Sequence, residues 1–578
     1  MNIYKTYQDK LCAVLTEINA DFDLSRVVVE PPRDSAHGDM ATNAAMVLSK
    51  QAGKNPRELA AEITPKLEAV DGVTSVEVAG PGFINFRLDI KAWSGLLKNI
   101  LDQGLAYGAV NVGQQTRVNI EYVSANPTGP MHAGHTRGAV IGDTLANLLD
   151  KAGYDVTREY YFNDAGTQVD VLARTAHLRY LEALGEDIGE IPEGLYPGEY
   201  MKDVAKALVA RDGDKWKDTQ EEFWLDPIRS FAVDHMMAMI REDLALIGIE
   251  HKVFTNERDL VNDGTLEKSF KILEDKDLIY VGTLPPPKGK EMENWEAVPL
   301  TLFRSSNFGD QSDRSLKKRD GTWAYIMPDI AYHYDKMKRG FNLMINILGK
   351  DHGGYEDRLG PAVKALSDGE GELKVIYNAI VKVFKNGELV RFSKRSGNII
   401  TLREMVEEVG ADAVRFFMMT RTPDSELEFD FDKVVEQSKD NPVFYVQYAH
   451  ARCCSVLRNA AEMFPDMDMS ETALEQVDLS SLDDPDILEL VKVMATWPRI
   501  VEAAAEAFEA HRVAFYLNDL ASAFHTLWSK GRSNTTLRFL DEDDVPSSQA
   551  RLALVVAVKT VLASGLDIMG VTPIKEMH

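Results

Sequence analysis

Two histidines, His132 and His135, stand three residues apart with Gly134 between them. They close a loop rich in small residues, Ala125-Asn126-Pro127-Thr128-Gly129-Pro130-Met131-His132-Ala133-Gly134-His135. The loop connects a strand-like segment, Arg117 to Val123, to a helical pattern that starts near His132. A helix N-terminus presents free N–H groups and the positive end of the macrodipole, so phosphate is the natural guest. Two imidazoles on one helical face could both donate to phosphate oxygens and stabilise the charge that builds up in an in-line attack. Gly134 has no side chain, so a flat base or ribose can approach the backbone there. A zinc pair is the other reading of two close histidines, but zinc sites need further Cys or His ligands and none lies nearby. A second loop, Val390-Arg391-Phe392-Ser393-Lys394-Arg395-Ser396-Gly397-Asn398, holds Lys394 between Ser393 and Arg395. A lysine is a compact point charge, suited to a departing pyrophosphate. Alone, this loop resembles many basic surface loops; its weight comes from pairing with the histidine loop.

The elements around these loops must bring them together. The strand at Arg117 to Val123, the helix from His132 to Ala152 stopped by Gly153, and the strand from Tyr154 to Tyr161 read as a βαβ unit of a parallel sheet. Residues 175–320 read as an insertion, after which the sheet resumes near Ala324-Tyr325-Ile326 and continues at Leu343 to Leu348, with Gly349 following. Ligands of such sheets sit beyond the C-terminal ends of the strands. Residues 1–100 form a smaller α+β module, with a helix at Leu11 to Ile18, a second helical region at Asn43 to Leu67, and a strand at Phe83 to Leu88. From 440 onward the pattern is helical throughout, with apolar stripes at Val443 to Leu457, Ile487 to Phe508, Val513 to Trp528 and Ala550 to Leu566. The predicted divisions are 1–100, 101–174, 175–320, 321–400, 401–439 and 440–578.

The 578 residues carry a formal charge of −27, which opposes loose binding to nucleic acid over the whole surface. Screening beyond roughly 8–10 Å still lets a local basic groove act alone. The three cysteines, Cys12, Cys453 and Cys454, fit a reducing cytoplasm, and neither a membrane-length apolar run nor a signal peptide is visible.

His-x-Gly-His before a helix and the late Ser393-Lys394 loop resemble the two signatures of class I aminoacyl-tRNA synthetases. Longer stretches resemble the arginyl-tRNA synthetases in particular: Glu121 to Pro127, Asn163-Asp164-Ala165-Gly166-Thr167-Gln168, Ile347 to Tyr355, Gly410 to Phe417, and Asp440 to Arg452. The resemblance implies a multidomain α/β protein: a Rossmann-type parallel-sheet catalytic domain, an N-terminal α+β module that contacts tRNA, and a C-terminal helical anticodon-binding bundle. It implies ATP, L-arginine and the tRNA for arginine as substrates, with magnesium carried by the nucleotide and no protein-bound metal. It further implies a cytoplasmic monomer with neither DNA nor membrane as partner. His132, His135 and Lys394 would be catalytic. Pro130, Gly134, Gly349, Asp351, His352 and Ser393 would join them around ATP. Glu121, Ser124, Asn126 and His135 would hold the amino-acid end of arginine, while Tyr325 and Asp329 take its guanidinium. A planar fork of donors wants a carboxylate in bidentate geometry, which suits Asp329. Phe83 and Asn85 in the N-terminal module, with Tyr445, Tyr448, Arg452 and Arg458 in the bundle, would meet the tRNA. Many members of the family carry a lysine upstream of the first signature instead of in the second. Here that position is Gly129, and Lys394 is present. Arg391 and Phe392 stand where the second signature usually has Lys and Met. Three other readings remain open: another class I synthetase such as the cysteinyl one, a non-catalytic RNA-binding paralogue, and a small-molecule nucleotidyltransferase. The three cysteines cannot build the zinc site that cysteine selection uses, and neither of the other two readings needs both the intact His132, His135 and Lys394 and a large helical bundle.

Overall fold

The computed structural model describes residues 2–164, 166–284, 298–390 and 400–577. They form two compact units, one from Gly113–Glu436 and one from Met1–Val112 together with Gln437–His578.

The first unit is built on five parallel strands: β1 (Arg117–Glu121), β2 (Asp155–Phe162), β3 (Val253–Asn256), β4 (Leu343–Gly349) and β5 (Glu372–Asn378). Their order across the sheet is β5-β4-β1-β2-β3. The chain therefore winds outward from β1 in one direction and from β4 in the other. The crevice between the C-terminal ends of β1 and β4 is the switch point where ligands of such sheets bind. The edge strand β3 comes from within residues 175–320.

Helix α1 (Ala133–Lys151) connects β1 to β2 and is buried along nearly its whole length. It ends as expected at Gly153, whose φ is +86°. The Gly153 N–H donates to the Asp150 carbonyl (3.1 Å) and the Tyr154 N–H to the Leu149 carbonyl (3.0 Å), a Schellman stop that only a residue free at positive φ makes cheaply. Polar residues on α1 are pinned. The Arg137 guanidinium, fully buried, donates to the carbonyls of Ala379, Thr422 and Ser425. Burial holds Arg137 down, to about 10, against the pull of the Asp424 carboxylate. Asp143 accepts from Arg415 at 2.6 Å, and Arg415 also donates to the Ile247 carbonyl. Both arginines thus lock α1 to chain that comes before and after the lysine loop.

Ala324-Tyr325-Ile326 do not resume the sheet. They lead into helix α2 (Ile326–Lys338), with Tyr325 as its N-cap. Pro328 explains the difference: it lies in the first turn, where its missing N–H would be unpaired in any case, so a helix start suits it better than a ladder. Helix α3 (Tyr355–Leu366) follows β4 and packs back on α2. Their shared core includes Tyr332, Phe341, Met344 and Leu359.

In the second unit, the helical region at Asn43 to Leu67 consists of two helices, Ala44–Ala52 and Pro56–Glu68. Gly53 turns left-handed at φ +63°, and Asn55 restarts the helix with a reciprocal capping box to Glu58. These helices back an antiparallel sheet ordered Val29–Glu30, Met40–Thr42, Phe83–Leu88, Val73–Ala79. The helical stripe at Ile487 to Phe508 likewise falls on two helices, Pro485–Ala495 and Trp497–Ala507. Both ends of the chain pack together in this unit. Helix Ile90–Gln103 lies on helix Val545–Ile568, and the Trp497 indole N–H donates to the Tyr107 carbonyl and to Ser564.

Candidate active site

A cleft of about 1340 Å³ opens beyond the C-terminal ends of β1 and β4. Of the residues expected at a catalytic site, Glu121, Ser124, Asn126, His132, Gly134, His135, Tyr325, Asp329, Gly349, Asp351 and His352 all line it, as does Ala125. Pro127, Thr128, Gly129, Pro130, Met131 and Ala133 of the loop do not, and Ser393 and Lys394 lie outside the described residues.

The loop leaves β1 through a strained turn. Val123 and Ser124 have φ of +70° and +41°, and the Ser124 N–H donates to the Tyr122 carbonyl at 3.0 Å. A γ-turn at positive φ on a β-branched residue costs on the order of 1–3 kcal/mol and persists only where the surroundings enforce it. They do so here: Ser124 Oγ accepts from the Tyr161 N–H, the Tyr160 hydroxyl donates to the Ala125 carbonyl, and the Tyr122 hydroxyl reaches Asp143. Asn126 then donates to Gln168 of the Asn163–Gln168 stretch.

His132 caps α1 in extended conformation, and its ring stacks on that of His135 at 3.7 Å between centroids and 20° between planes. Backbone pairing fixes this end of the loop: the Ala133 N–H donates to the Ile400 carbonyl, and the Leu402 N–H to that of Met131. The histidine loop is thereby bridged to the segment that directly follows the lysine loop. A Cβ on Gly134 would press on the His132 ring at 3.2–3.3 Å. The glycine therefore serves the histidine pair as well as any incoming ribose.

The other end of the cleft is acidic. Glu121, at the end of β1, accepts from the wholly buried Lys336 of α2 at 2.7 Å, and Lys336 also reaches Asn346. Glu257 was not anticipated from sequence. It accepts from the Tyr161 hydroxyl (2.8 Å) and from Asn163 (2.7 Å), so the Asn163–Gln168 stretch serves to place it. Burial, and the nearby Asp164 carboxylate, push its carboxyl up against the pull of the Tyr161 hydroxyl. Asp329, on the first turn of α2, is pushed up to about 7 by burial and by the facing carboxylates of Glu121 and Glu257, with Tyr355 and Arg358 opposing. Three carboxylates thus converge, with Lys336 on Glu121 and Arg358 near Asp329 balancing them only in part, an arrangement that favours a bound cation. Among the described residues no cluster of His, Cys, Asp and Glu is arranged to hold a metal ion. An organic cation with several donors fits the separated carboxylates.

This has a pH consequence. A cation selects the ionised form of Asp329, which is depleted as pH falls through about 7. Affinity for such a cation is expected to be flat above about pH 8 and to fall toward a limit of about tenfold per unit at acid pH. Binding near neutrality should release a proton. Calorimetry in two buffers of different ionisation enthalpy measures that release directly; none at pH 7 would remove Asp329 from the pocket's chemistry.

Tyr325 is 90% exposed at the cleft mouth. At the far side, Asp351 and His352 are open to solvent beyond β4. In the second unit, Phe83 is 39% exposed while Asn85 beside it is buried. Tyr445, Tyr448 and Arg452 gather around His525 and Trp528: Arg452 donates to the Tyr448 hydroxyl, contacts His525, and lies over the Trp528 ring. Arg458 is apart from them and donates to the Lys575 carbonyl of the C-terminal tail.

Three family models match the chain: the arginyl tRNA synthetase N terminal domain at 5–88, the class I (R) tRNA synthetase catalytic domain at 96–197, and the DALR anticodon binding domain at 446–577. The arginine–tRNA ligase of Parvibaculum lavamentivorans is 54% identical over the full length of both chains, and that of Rhodospirillum rubrum 53% identical, also over both full lengths. The solved arginyl-tRNA synthetase of Thermus thermophilus, 20% identical, superposes with a TM-score of 0.73 over 99% of this chain and all of its own, which speaks to the fold. Full-length relatives at this identity, with a cationic-ligand pocket beside a histidine-bearing helix start, establish that the chain belongs to the arginyl-tRNA synthetases, the class I ligases that use ATP.

Proposed function

We propose that this chain activates L-arginine with ATP to arginyl-adenylate and transfers it to the 3′ end of the tRNA for arginine. The observation that carries the reading is the polarity of the cleft, with a triad of carboxylates at one end and a histidine-capped helix start at the other. Asp329 and Glu257 take the guanidinium, with Tyr325 at the mouth. Glu121, Ser124 and Asn126 hold the α-amino group and the backbone. The carboxylate of arginine is then directed toward the N-terminus of α1. There His132 and His135 donate to the α-phosphate as it gains charge, and pyrophosphate leaves toward Lys394 and Ser393. Gly349, Asp351 and His352 take the adenosine, and Pro130 shapes the loop. No side chain forms a bond to the substrate, so the rate comes from alignment and charge stabilisation. A ribose hydroxyl of the terminal adenosine then attacks the adenylate carbonyl. Magnesium is assigned to the nucleotide phosphates, where it would neutralise charge, and no residue is assigned to it. The second unit is the tRNA-reading part, through Phe83 and Asn85 and through Tyr445, Tyr448, Arg452 and Arg458. The chain acts as a cytoplasmic monomer, without DNA or a membrane as partner.

Arginine-dependent ATP–pyrophosphate exchange, run with and without the arginine tRNA, tests this. Exchange is expected only with tRNA present. Exchange without it keeps the synthetase and removes the tRNA requirement. No exchange with any amino acid and total tRNA would leave an RNA-binding paralogue as the better account.

A further inference from the structure

Part of the cleft rim has no role in this account. A small antiparallel sheet, Ile279–Gly282, Leu300–Phe303 and Arg314–Ser315, leads into a turn that returns at Ala324. The turn carries Lys317, Lys318 and Arg319 in a row, in a chain whose net charge is −27. It is held in shape. The Ala324 N–H donates to the Leu316 carbonyl (2.9 Å), the Lys318 N–H to Thr322 (2.7 Å) and the Gly321 N–H to Lys318 (3.0 Å), with Gly321 at φ +83°. Asp320 accepts from both the N–H and the hydroxyl of Thr322. Lys317 turns inward, its ammonium 4.8 Å from the ring centroids of both Phe270 and Trp323. Lys318 and Arg319 turn out, and among the described residues neither forms an ion pair. Lys318 and Trp323 both line the cleft.

Lys318 and Trp323 thus line the same cleft as Glu121, Glu257 and Asp329, with Arg319 exposed next to Lys318 in the turn and the Asp320 carboxylate acting on Lys318. That pocket repels phosphate, so the rim suits a polyanion that crosses it and sends in only its last group. A flexible single strand supplies both partners: phosphates for the cations and base faces for the ring. We propose that the turn from Lys318 to Trp323 receives the unpaired 3′ end of the tRNA, with Lys318 and Arg319 on its phosphates and Trp323 against a base. The proposal rests on the synthetase reading above.

The same cations could instead serve the phosphates of ATP, so the test separates the two sources. Full-length Lys318→Ala/Arg319→Ala is compared with the unaltered protein. Both are titrated, across a salt series, with intact arginine tRNA and with the same tRNA trimmed of its unpaired 3′ nucleotides. Expected are about tenfold weaker binding of intact tRNA and a log–log salt slope shallower by about 1.4, the value for two phosphates of a single strand. Trimmed tRNA should bind both proteins equally, and KM for ATP should stay within about twofold. Trp323→Leu should weaken intact tRNA by about fivefold or more, with its salt slope unchanged. Equal losses with trimmed tRNA, unchanged tRNA binding, or a raised KM for ATP alone would each overturn the proposal. An unaltered protein that shows no preference for arginine tRNA would instead overturn the functional reading beneath it.

Discussion

Asp329→Asn is expected to lower kcat/KM for arginine by about 10²- to 10³-fold. The reason is the cost of leaving a desolvated cation without its partner, about 3–5 kcal/mol. Asp329 stands on the first turn of α2 in the wall of the cleft, where little water can replace a missing carboxylate. Glu257 and Glu121 remain in the variant, so the pocket keeps some attraction for positive charge and activity should not vanish. Stability should move the other way. In the ligand-free fold Asp329 is pushed up to about 7, first by burial and then by repulsion from Glu121 and Glu257. The amide removes that repulsion at neutral and alkaline pH, so the melting temperature should hold or rise there. Steady-state kinetics and a melt on one preparation check both halves. A fall below tenfold, or a lost fold, would mean that Asp329 is structural.

The second large effect is expected at the histidine pair. His135→Ala and His132→Ala should each lower kcat by about 10²–10³, the usual cost of one donor aimed at developing charge, and leave arginine KM within a few-fold. The rings stack at 3.7 Å, so each holds the other in place. The double variant should therefore lose clearly less than the product of the single losses. Pre-steady-state adenylate formation reads this most directly. Full multiplicativity would mean that the rings act independently, and a loss confined to KM would make them binding groups only.

The histidine loop was readable because its chemistry is local. A strand end, small residues and a helix start lie within one stretch of chain, and β1, α1 and β2 fall where the apolar pattern puts them. The acidic pocket was half readable. Glu121 and Asp329 came through family resemblance, whereas Glu257 sits in a stretch that looks like an ordinary helix start. Only the fold of β2 beside β3 brings Tyr161 and Asn163 to it. Lys336 was hidden for a similar reason: a lysine on an amphipathic helix reads as solvated, yet this one is fully buried against Glu121. The short segment Ala324–Ile326 reads wrongly as sheet because the helix-starting Pro328 decides it; at Asn43–Leu67 the helical pattern holds, and Gly53 and Asn55 set the break between its two helices.

The packing of helix Ile90–Gln103 on helix Val545–Ile568 sets an order of events on the ribosome. Trp93, Leu96, Leu97, Ile100 and Leu101 form the buried face of the first helix. The second leaves the exit tunnel roughly 440 residues later, a wait of about 20–90 s at ordinary elongation rates. During that time the nascent chain carries an uncovered apolar stripe while the residues from Gly113 to Glu436 emerge behind it. The unit that brings the two chain ends together is therefore the last to be completed, and until then helix Ile90–Gln103 is a natural client for a holding chaperone.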